Sequence, residues 1–576
     1  MSRMKAGPLN LRLMDWLRRN DRGWLLLLLG LHLGFMGRLT VFYSPTLDET
    51  AHLPAGLSIW RSGRTDLYRV NPPLVRGLAS LPLLALDHQE DWSHYRLESP
   101  RRSEWDVGAD FARANGSRTL WLLTVARWMC LPFSLIGLLV CWSWGRELTT
   151  PAGGWIAAAL WGFSPNLLSH GALLTNDVAA TSLGLLAAWR FQHWLIRPSL
   201  QSAFAAGFCL GLALLSKLSW VILPGLWLLI GIIGIFWRIG IESPEILPSK
   251  RRRGLELVAI QLLGLMILNM GYGYHGTGTP LGQIPFYSRI LSGTHRNLEL
   301  DSPGNRFEGT WLGRIPVAVP VDYLAGIDLQ QHDFERPHTS YLLGVHRKGG
   351  WWWYYLVGLG VKVPLGTWLL AITGALLTQW QPAARIFWQR LLPLWLPALT
   401  LFVIASTETG INRHLRYVFP VLPLGYLLAA NASTFRSPWM WRLPLLATVI
   451  ASLSAYPHSL SYFNLLAGGP AGGSRVLIDS NLDWGQDLLL VKDWLEQHPD
   501  CRPATLAAVS SVPREVLGID IPQAPTEKAG PGWHLISIHL LNSPGNSYSS
   551  FKKLRPVGRV GSTINIYHVS EDVTGP

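Results

Sequence analysis

Apolar and polar residues alternate along this chain in long blocks. Eleven stretches are apolar and nearly free of charge: 24–42, 119–144, 153–174, 177–196, 203–217, 218–237, 255–274, 352–379, 388–406, 415–431 and 441–456. The longer ones reach the roughly 20 residues a helix needs to cross a bilayer. The pattern therefore predicts a polytopic α-helical membrane protein with about 11 transmembrane helices. Residues 203–237 read as two short passes joined by a tight turn at Lys217 in "LLSKLSW". Three polar pieces remain: 43–118, 275–350 and 457–576. In the first, "LVRGLASLPLLAL" has a mixed helical face, as in short amphipathic helices lying on a membrane. The second is rich in Gly, Pro and His and has little periodicity. The third reads as a small extracytoplasmic α/β domain following a transmembrane domain over 1–456. There "SRVLIDS" is predicted as a strand and "GQDLLLVKDWLEQH" as an amphipathic helix. "ATLAAVSS", "WHLISIHLL" and "STINIYHV" have the β-branched, partly alternating character of strands.

Composition supports the membrane reading. Only 15% of the 576 residues are charged, against about a quarter in soluble domains. The net charge of +13 does not imply nucleic acid, because the basic residues form no domain. They concentrate in short stretches, with Arg12, Arg18, Arg19 and Arg22 at the start and Lys250 to Arg253 midway. With Met1 inside, eleven crossings place Arg146, Arg197, Arg238, "KRRR", Arg385 and Arg436 on the cytoplasmic side, as positive-inside loops require. Dropping one crossing within 203–237 would put "KRRR" outside. Many of the 29 Trp sit at the ends of apolar runs, where an amphipathic ring prefers the interface. The four cysteines, Cys130, Cys141, Cys209 and Cys501, form no disulfide framework or metal-ligand spacing. The basic N-terminus reads as a retained first helix, since its apolar run lacks a small-residue cleavage site.

Ionisable residues gather at one membrane level. Asp48 and Glu49 open the first outer loop, and Asp177 in "LLTNDVAATS" falls in the outer turn after His170. Lys217 lies at the next outer turn, and Arg413, His414 and Arg416 in "GINRHLRYVFP" begin the tenth span. Singly, each is an ordinary interfacial residue; together they describe an outward-facing polar cavity. Carboxylates supply a general base or orient a hydroxyl, and Arg and Lys supply a phosphate clamp. That combination suggests transfer from a lipid-linked phosphate donor to a hydroxyl acceptor. There is no G-x-x-x-x-G-K-[ST] and no G-x-G-x-x-G between a strand and a helix, so no soluble nucleotide site is read.

The segment "LDETAHLPAGLSIWRSGRTDLYRVNPPLVRGLASLPLL" resembles the first loop of the dolichyl-phosphate-mannose protein mannosyltransferase superfamily, which are C-type membrane glycosyltransferases. "GLALLSKLSWVILP" is similar to their fifth-to-sixth helix turn with its Lys. "YLLGVHRKGGWWWYYLVGLGVKVPL", "GINRHLRYVFPVLP", "YPHSLSYFNLLAGGPAGG" and "DSNLDWGQDL" resemble a bacterial, family-39-like branch, and the resemblance runs from about residue 40 to 490. It implies a C-type glycosyltransferase fold. It also implies an inverting transfer of one sugar, a hexose such as mannose, from a polyprenyl or dolichyl monophosphate to an extracytoplasmic hydroxyl of protein Ser/Thr, glycan or lipid. Asp48 would be the base on the acceptor hydroxyl, Glu49 its supporting neighbour, and Asp177 the second acid, here in the pattern "TND". Lys217 and either Arg413 or Arg416 would hold the donor phosphate, while His52, Asn71, Pro72 and Pro73 would shape the loop. Asn71 stands where the family often has His, so it is assigned no chemistry.

Oligosaccharyltransferases of this fold use a metal and favour Asp-x-Asp. The acids here are adjacent, so neither a metal nor another cofactor is expected. The expected partners are the lipid-linked sugar, its acceptor and membrane lipids, with no nucleic acid. The expected location is the bacterial inner membrane, with a cytoplasmic N-terminus. "DSNLDWGQD" reads equally as a loop packed on the membrane domain and as an acceptor-binding element. The alternative function is a non-enzymatic transporter or flippase-like protein for a lipid-linked sugar. It would predict charges distributed through the spans and inverted repeats, and the sequence has neither.

Overall fold

The computed structural model describes residues 21–96, 102–237, 239, 248–293, 303–545 and 547–570; Arg12, Arg18, Arg19 and Arg238 lie outside them. Each of the eleven apolar runs is mostly helical, with 153–174 divided into the helices Pro151–Gly162 and Pro165–Gly171. Among the described residues, five helices are long and apolar enough to cross a membrane singly: Asp21–Phe42, Arg118–Leu148, Leu218–Trp237, Lys250–Gly271 and Ala384–Thr407. The helices Asp177–Ile196 and Leu200–Ser216 pack among them, and Trp439–Ala455 packs on Leu365–Gln379 and Pro151–Gly162. At Lys217 the backbone is extended (φ −159°, ψ 140°) and stops the helix Leu200–Ser216, so the turn expected there is present. The helices Leu200–Ser216 and Lys250–Gly271 lie close because Gly207 and Gly211 face the second helix. A Cβ on Gly207 would sit 2.9 Å from the Ile260 carbonyl oxygen.

Two expectations within 250–379 are corrected. The run 352–379 is not one straight span. Helices Tyr354–Lys362 and Leu365–Gln379 meet at 111°, because Pro364 holds Val363 extended and starts the second helix instead of continuing the first. "KRRR" is not loop but the first turn of Lys250–Gly271, capped by the Ser249 hydroxyl, which accepts from the Arg252 amide.

The polar pieces carry short elements. Helices Glu49–Ser62, Pro73–Ser80 and Glu104–Asn115 form the first. The second, unreadable by periodicity, holds helix Val321–Glu335 and an antiparallel hairpin of β1 (Thr339–Leu342) and β2 (Val345–Lys348). In the tail, β3 (Ala504–Ala507), β4 (Gly532–Ser537), β5 (Gly558–Val560) and β6 (Ile564–Val569) form a sheet in the order β3-β4-β6-β5. Only β3 and β4 are parallel. Helix Leu488–Gln497 packs its apolar face on this sheet. Strand "WHLISIHLL" ends early, because the Ser537 hydroxyl caps a helical turn at Ile538–Leu541. "SRVLIDS" is not a strand: its chain turns at Asp479, which has φ 64°, and the flanking residues form short 3-10 turns. Residues 457–487 pack on the transmembrane body, through Lys362 to the Leu460 and Asn481 carbonyls (2.8 and 2.6 Å) and Asn464 to the Gly360 and Val363 carbonyls (2.6 and 2.8 Å). The polytopic helical fold with a small C-terminal α/β unit is thus the one the sequence predicts.

Candidate active site

Four chain breaks converge on one cavity. Asp48 precedes helix Glu49–Ser62, Asp177 is the first residue of its helix, Lys217 is the break between two helices, and Arg416 lies in the 3-10 segment Leu415–Val421. At such ends backbone N–H groups lack partners, and a carboxylate on the N-terminus of a helix is favoured by the dipole. The cavity has a volume of about 660 Å³ and is lined by Asp48, His52, Asn71, Asp177, Lys217, Arg413 and Arg416 together. One wall is apolar, built from Val221, Ile222, Ile327, Leu401 and Ile404.

Charges interlock at its floor. The Arg416 Nη2 donates to Asp48 Oδ2 at 2.8 Å, and its Nε stands 3.5 Å from Asp177 Oδ2. Lys217 Nζ donates to Asp177 Oδ1 at 2.5 Å. One guanidinium thus bridges two acids while the Lys holds the second. The Arg416 Nη1 is buried without a hydrogen-bond partner. Arg413 is committed elsewhere: its Nε and Nη2 both meet Asp479 Oδ2 at 3.0 Å. Burial raises the Asp48 carboxyl, with Arg416 opposing and Asp177 adding to the rise. Burial also drives His52 down to about 3, helped by Arg76, so its ring is neutral at physiological pH. Asp479 is pushed up by burial, but His414, Arg413 and His539 hold it down to about 2.

Not every expected residue reaches the cavity. Glu49 is fully buried and turned away. It accepts from Arg127 Nε and Nη2 (2.7 and 2.6 Å), the Thr46 amide and hydroxyl (both 2.9 Å) and the Leu174 amide (2.7 Å). Arg127 in turn donates to the Thr40, Tyr43 and Ser44 carbonyls. The expectation that Glu49 belongs to the catalytic site beside Asp48 is therefore corrected: it does not reach the cavity and instead fixes the backbone that leads to Asp48. Pro72 and Pro73 do not line the cavity either; they start the helix Pro73–Ser80, behind Asn71.

The site also contains residues that the sequence did not single out. Arg102 donates to Glu104 at 2.5 Å and to Asp333 at 2.8 Å, and its guanidinium lies 4.9 Å over Trp105. Tyr68 lines the cavity with φ 63°, a strained value for a residue with a Cβ, and its ring centroid is 4.7 Å from that of His52. Trp484 lies 4.0 Å beneath the Arg416 guanidinium. Only the polar density of "DSNLDWGQD" flagged any of these; the Arg102–Asp333 pair spans 231 residues and leaves no local signal. Among the described residues no group of three or more His, Cys, Asp or Glu is placed to hold a metal ion.

Residues 122–239 match the family model described as dolichyl-phosphate-mannose-protein mannosyltransferase, which bears out the superfamily resemblance read in the sequence. That segment carries Asp177 and Lys217. No curated protein matches the chain. Among solved structures, ArnT from Cupriavidus metallidurans in the apo state overlaps with a TM-score of 0.43 at 13% identity, covering 96% of this chain and 99% of that one. The same protein bound to undecaprenyl phosphate overlaps equally. The Archaeoglobus fulgidus oligosaccharyltransferase in the apo form gives 0.42 at 11% identity, covering 85% of this chain and 59% of that one. Residues 122–239 thus resemble that mannosyltransferase family, within a helical chain of which five described helices are long and apolar enough to cross a membrane.

Proposed function

We propose that this chain is an inverting membrane glycosyltransferase that moves a single hexose from a polyprenyl monophosphate to an extracytoplasmic hydroxyl. The observation that carries this reading is the bridged set Asp48–Arg416–Asp177–Lys217 at the floor of a cavity with one apolar wall. Cations and acids supply a phosphate clamp and a base, and the apolar wall suits an isoprenoid chain. The family match over 122–239 supports the same class. The bound undecaprenyl phosphate of the ArnT structure is a lipid phosphate of the kind proposed here.

Asp48 takes the proton of the acceptor hydroxyl as its oxygen attacks the anomeric carbon. The bond from that carbon to the phosphate oxygen breaks, and its electron pair leaves with the lipid phosphate. Charge grows on the departing oxygens, where preorganised cations contribute most. The unpartnered Nη1 supports Arg416 rather than Arg413 as the arginine on phosphate. Lys217 offers three donors, of which Asp177 takes one. Burial of Asp48 makes it a stronger base than an exposed carboxylate. Asp48 and Asp177 are separated by a guanidinium rather than facing each other, which supports a metal-independent reaction. Mannose, the acceptor's identity, and placement in a bacterial inner membrane with the site outward belong to this proposal.

The test is transfer of radiolabelled hexose from a synthetic polyprenyl-phosphate sugar by the purified full chain in lipid discs. Asp48→Asn is expected to lower turnover by roughly a hundredfold or more with the melting temperature retained. Turnover within a few-fold of wild type would reject Asp48 as base. A donor consumed by neither protein would reject the activity.

A further inference from the structure

Residues 479–487 lie between the transmembrane body and the C-terminal sheet and are bonded to both. On the membrane side, Asp479 holds Arg413, Asn481 accepts from the Leu415 amide at 2.9 Å, and Lys362 donates to the Asn481 carbonyl at 2.6 Å. On the sheet side, the Asp479 amide donates to His539 Nδ1 at 3.1 Å and Ser537 donates to Asp483. Asp487 accepts from the amides of Ser562 and Thr563 at 2.7 and 3.0 Å. The segment adopts no regular structure of its own beyond a short 3-10 turn at Asp479–Asn481, and Asp479 is left-handed (φ 64°). Such a backbone persists only when its surroundings over-determine it. What it delivers to the cavity is Trp484, 2% exposed, with the Arg416 guanidinium 4.0 Å over its ring. A guanidinium stacked on an indole away from bulk water keeps its plane while its N–H edges stay free for hydrogen bonds.

We infer that Trp484 is a positioning residue of the donor site, setting the plane of Arg416, and that the C-terminal α/β unit acts on transfer by holding the 479–487 segment through His539. This rests on the proposed function, since it gives the tail a role in that same site. Neither the acceptor-binding nor the inert packing role of "DSNLDWGQD" predicts such a coupling. An acceptor-binding loop would change the acceptor constant, and inert packing would change only stability.

The experiment compares the full-length wild type, Trp484→Leu, Trp484→Phe and His539→Ala. It measures donor KM and kcat with a synthetic polyprenyl-phosphate hexose, acceptor KM, and melting temperature. Trp484→Leu is expected to raise donor KM about tenfold, with kcat at saturating donor within about threefold and acceptor KM unchanged. Trp484→Phe keeps a π face and should restore donor KM to within about threefold of wild type. His539→Ala, which lies outside the cavity, should raise donor KM about threefold by loosening Asp479. A lowered melting temperature with unchanged donor KM would overturn the inference, as would a shift in acceptor KM alone. If Trp484→Leu does not fold, an unchanged donor KM in both other variants overturns it. Failure of the wild type to use the donor removes the proposed function and this inference with it. Wild-type turnover with unaltered variants removes only the inference.

Discussion

At the scale of single residues, the ion pair Lys217–Asp177 separates a donor clamp from a structural pair. Both side chains are nearly buried, at 16% and 6% exposure, so an orphaned partner would be costly. If Lys217 holds lipid phosphate, Lys217→Ala should weaken donor binding about ten- to a hundredfold, the loss of one charge-assisted bond worth roughly 1.5–3 kcal/mol. Adding Asp177→Asn should not restore it. Binding of a polyprenyl-phosphate sugar, beside melting temperature, decides; a double mutant with donor affinity back at the wild-type level would make the pair structural. His52 makes a second prediction. Its folded value near 3 lies below the unfolded 6.5, so the folded state prefers the neutral ring. The contribution is fully present above pH 6.5 and is lost as pH falls toward 3. The melting temperature should therefore drop on acidification, and less steeply in His52→Gln. An equal slope in the two proteins would show that His52 does not titrate as its burial requires. The sequence made these residues legible because a charge beside an apolar run is conspicuous. Arg102 and Asp333 were not, because each sits in a long polar piece of the sequence where a charge is ordinary and only the fold brings them to 2.8 Å.

At the scale of elements, the apolar runs were legible because burial in lipid or protein leaves a compositional mark at every position. Helix direction left a weaker one. The 111° break at Val363–Pro364 is written in one proline, and Pro393 and Pro397 sit inside the helix Ala384–Thr407 without ending it, so a proline alone does not announce a bend. What differs is Lys362, whose ammonium is drawn to the Leu460 and Asn481 carbonyls, bonds unavailable to a continuous helix buried in lipid. Adjacency misled in the other direction. Asp48 and Glu49 look like a pair, but Glu49 starts the helix Glu49–Ser62 and faces Arg127. Their roles are separable by experiment. Glu49→Gln leaves a buried guanidinium without its countercharge and should cost about 3–5 kcal/mol of stability. The protein that remains folded should keep more turnover than Asp48→Asn retains. Thermal unfolding and single-turnover transfer on the two variants check this; equal loss of chemistry with full stability in Glu49→Gln would return Glu49 to a catalytic role.

At the scale of the molecule, the site is assembled from pieces far apart in sequence, which is why its parts were readable and its closure was not. The loop at 48, the helix starts at 177 and 416 and the tail at 484 meet only through tertiary packing. For transfer outside the membrane, that cavity and the C-terminal sheet must share one side, with "KRRR" on the other. The cations in the first turn of Lys250–Gly271 are suited to anionic headgroups there. The bend at Val363–Pro364 leaves this parity intact when Leu365–Gln379 crosses and Tyr354–Lys362 lies against the 457–487 segment. Single cysteines at Ser549 and Ser249 test the arrangement, since both positions are exposed and the four native cysteines are all buried. A membrane-impermeant thiol reagent applied to sealed cells should label Ser549→Cys and spare Ser249→Cys, with both labelled after permeabilisation. The reverse pattern would put the cavity on the cytoplasmic face, where the acceptor would be a cytoplasmic molecule and the lipid-linked donor would need no flipping. Labelling of both in sealed cells would mean an even number of crossings between them, where the eleven runs place five, and would overturn the eleven-pass arrangement.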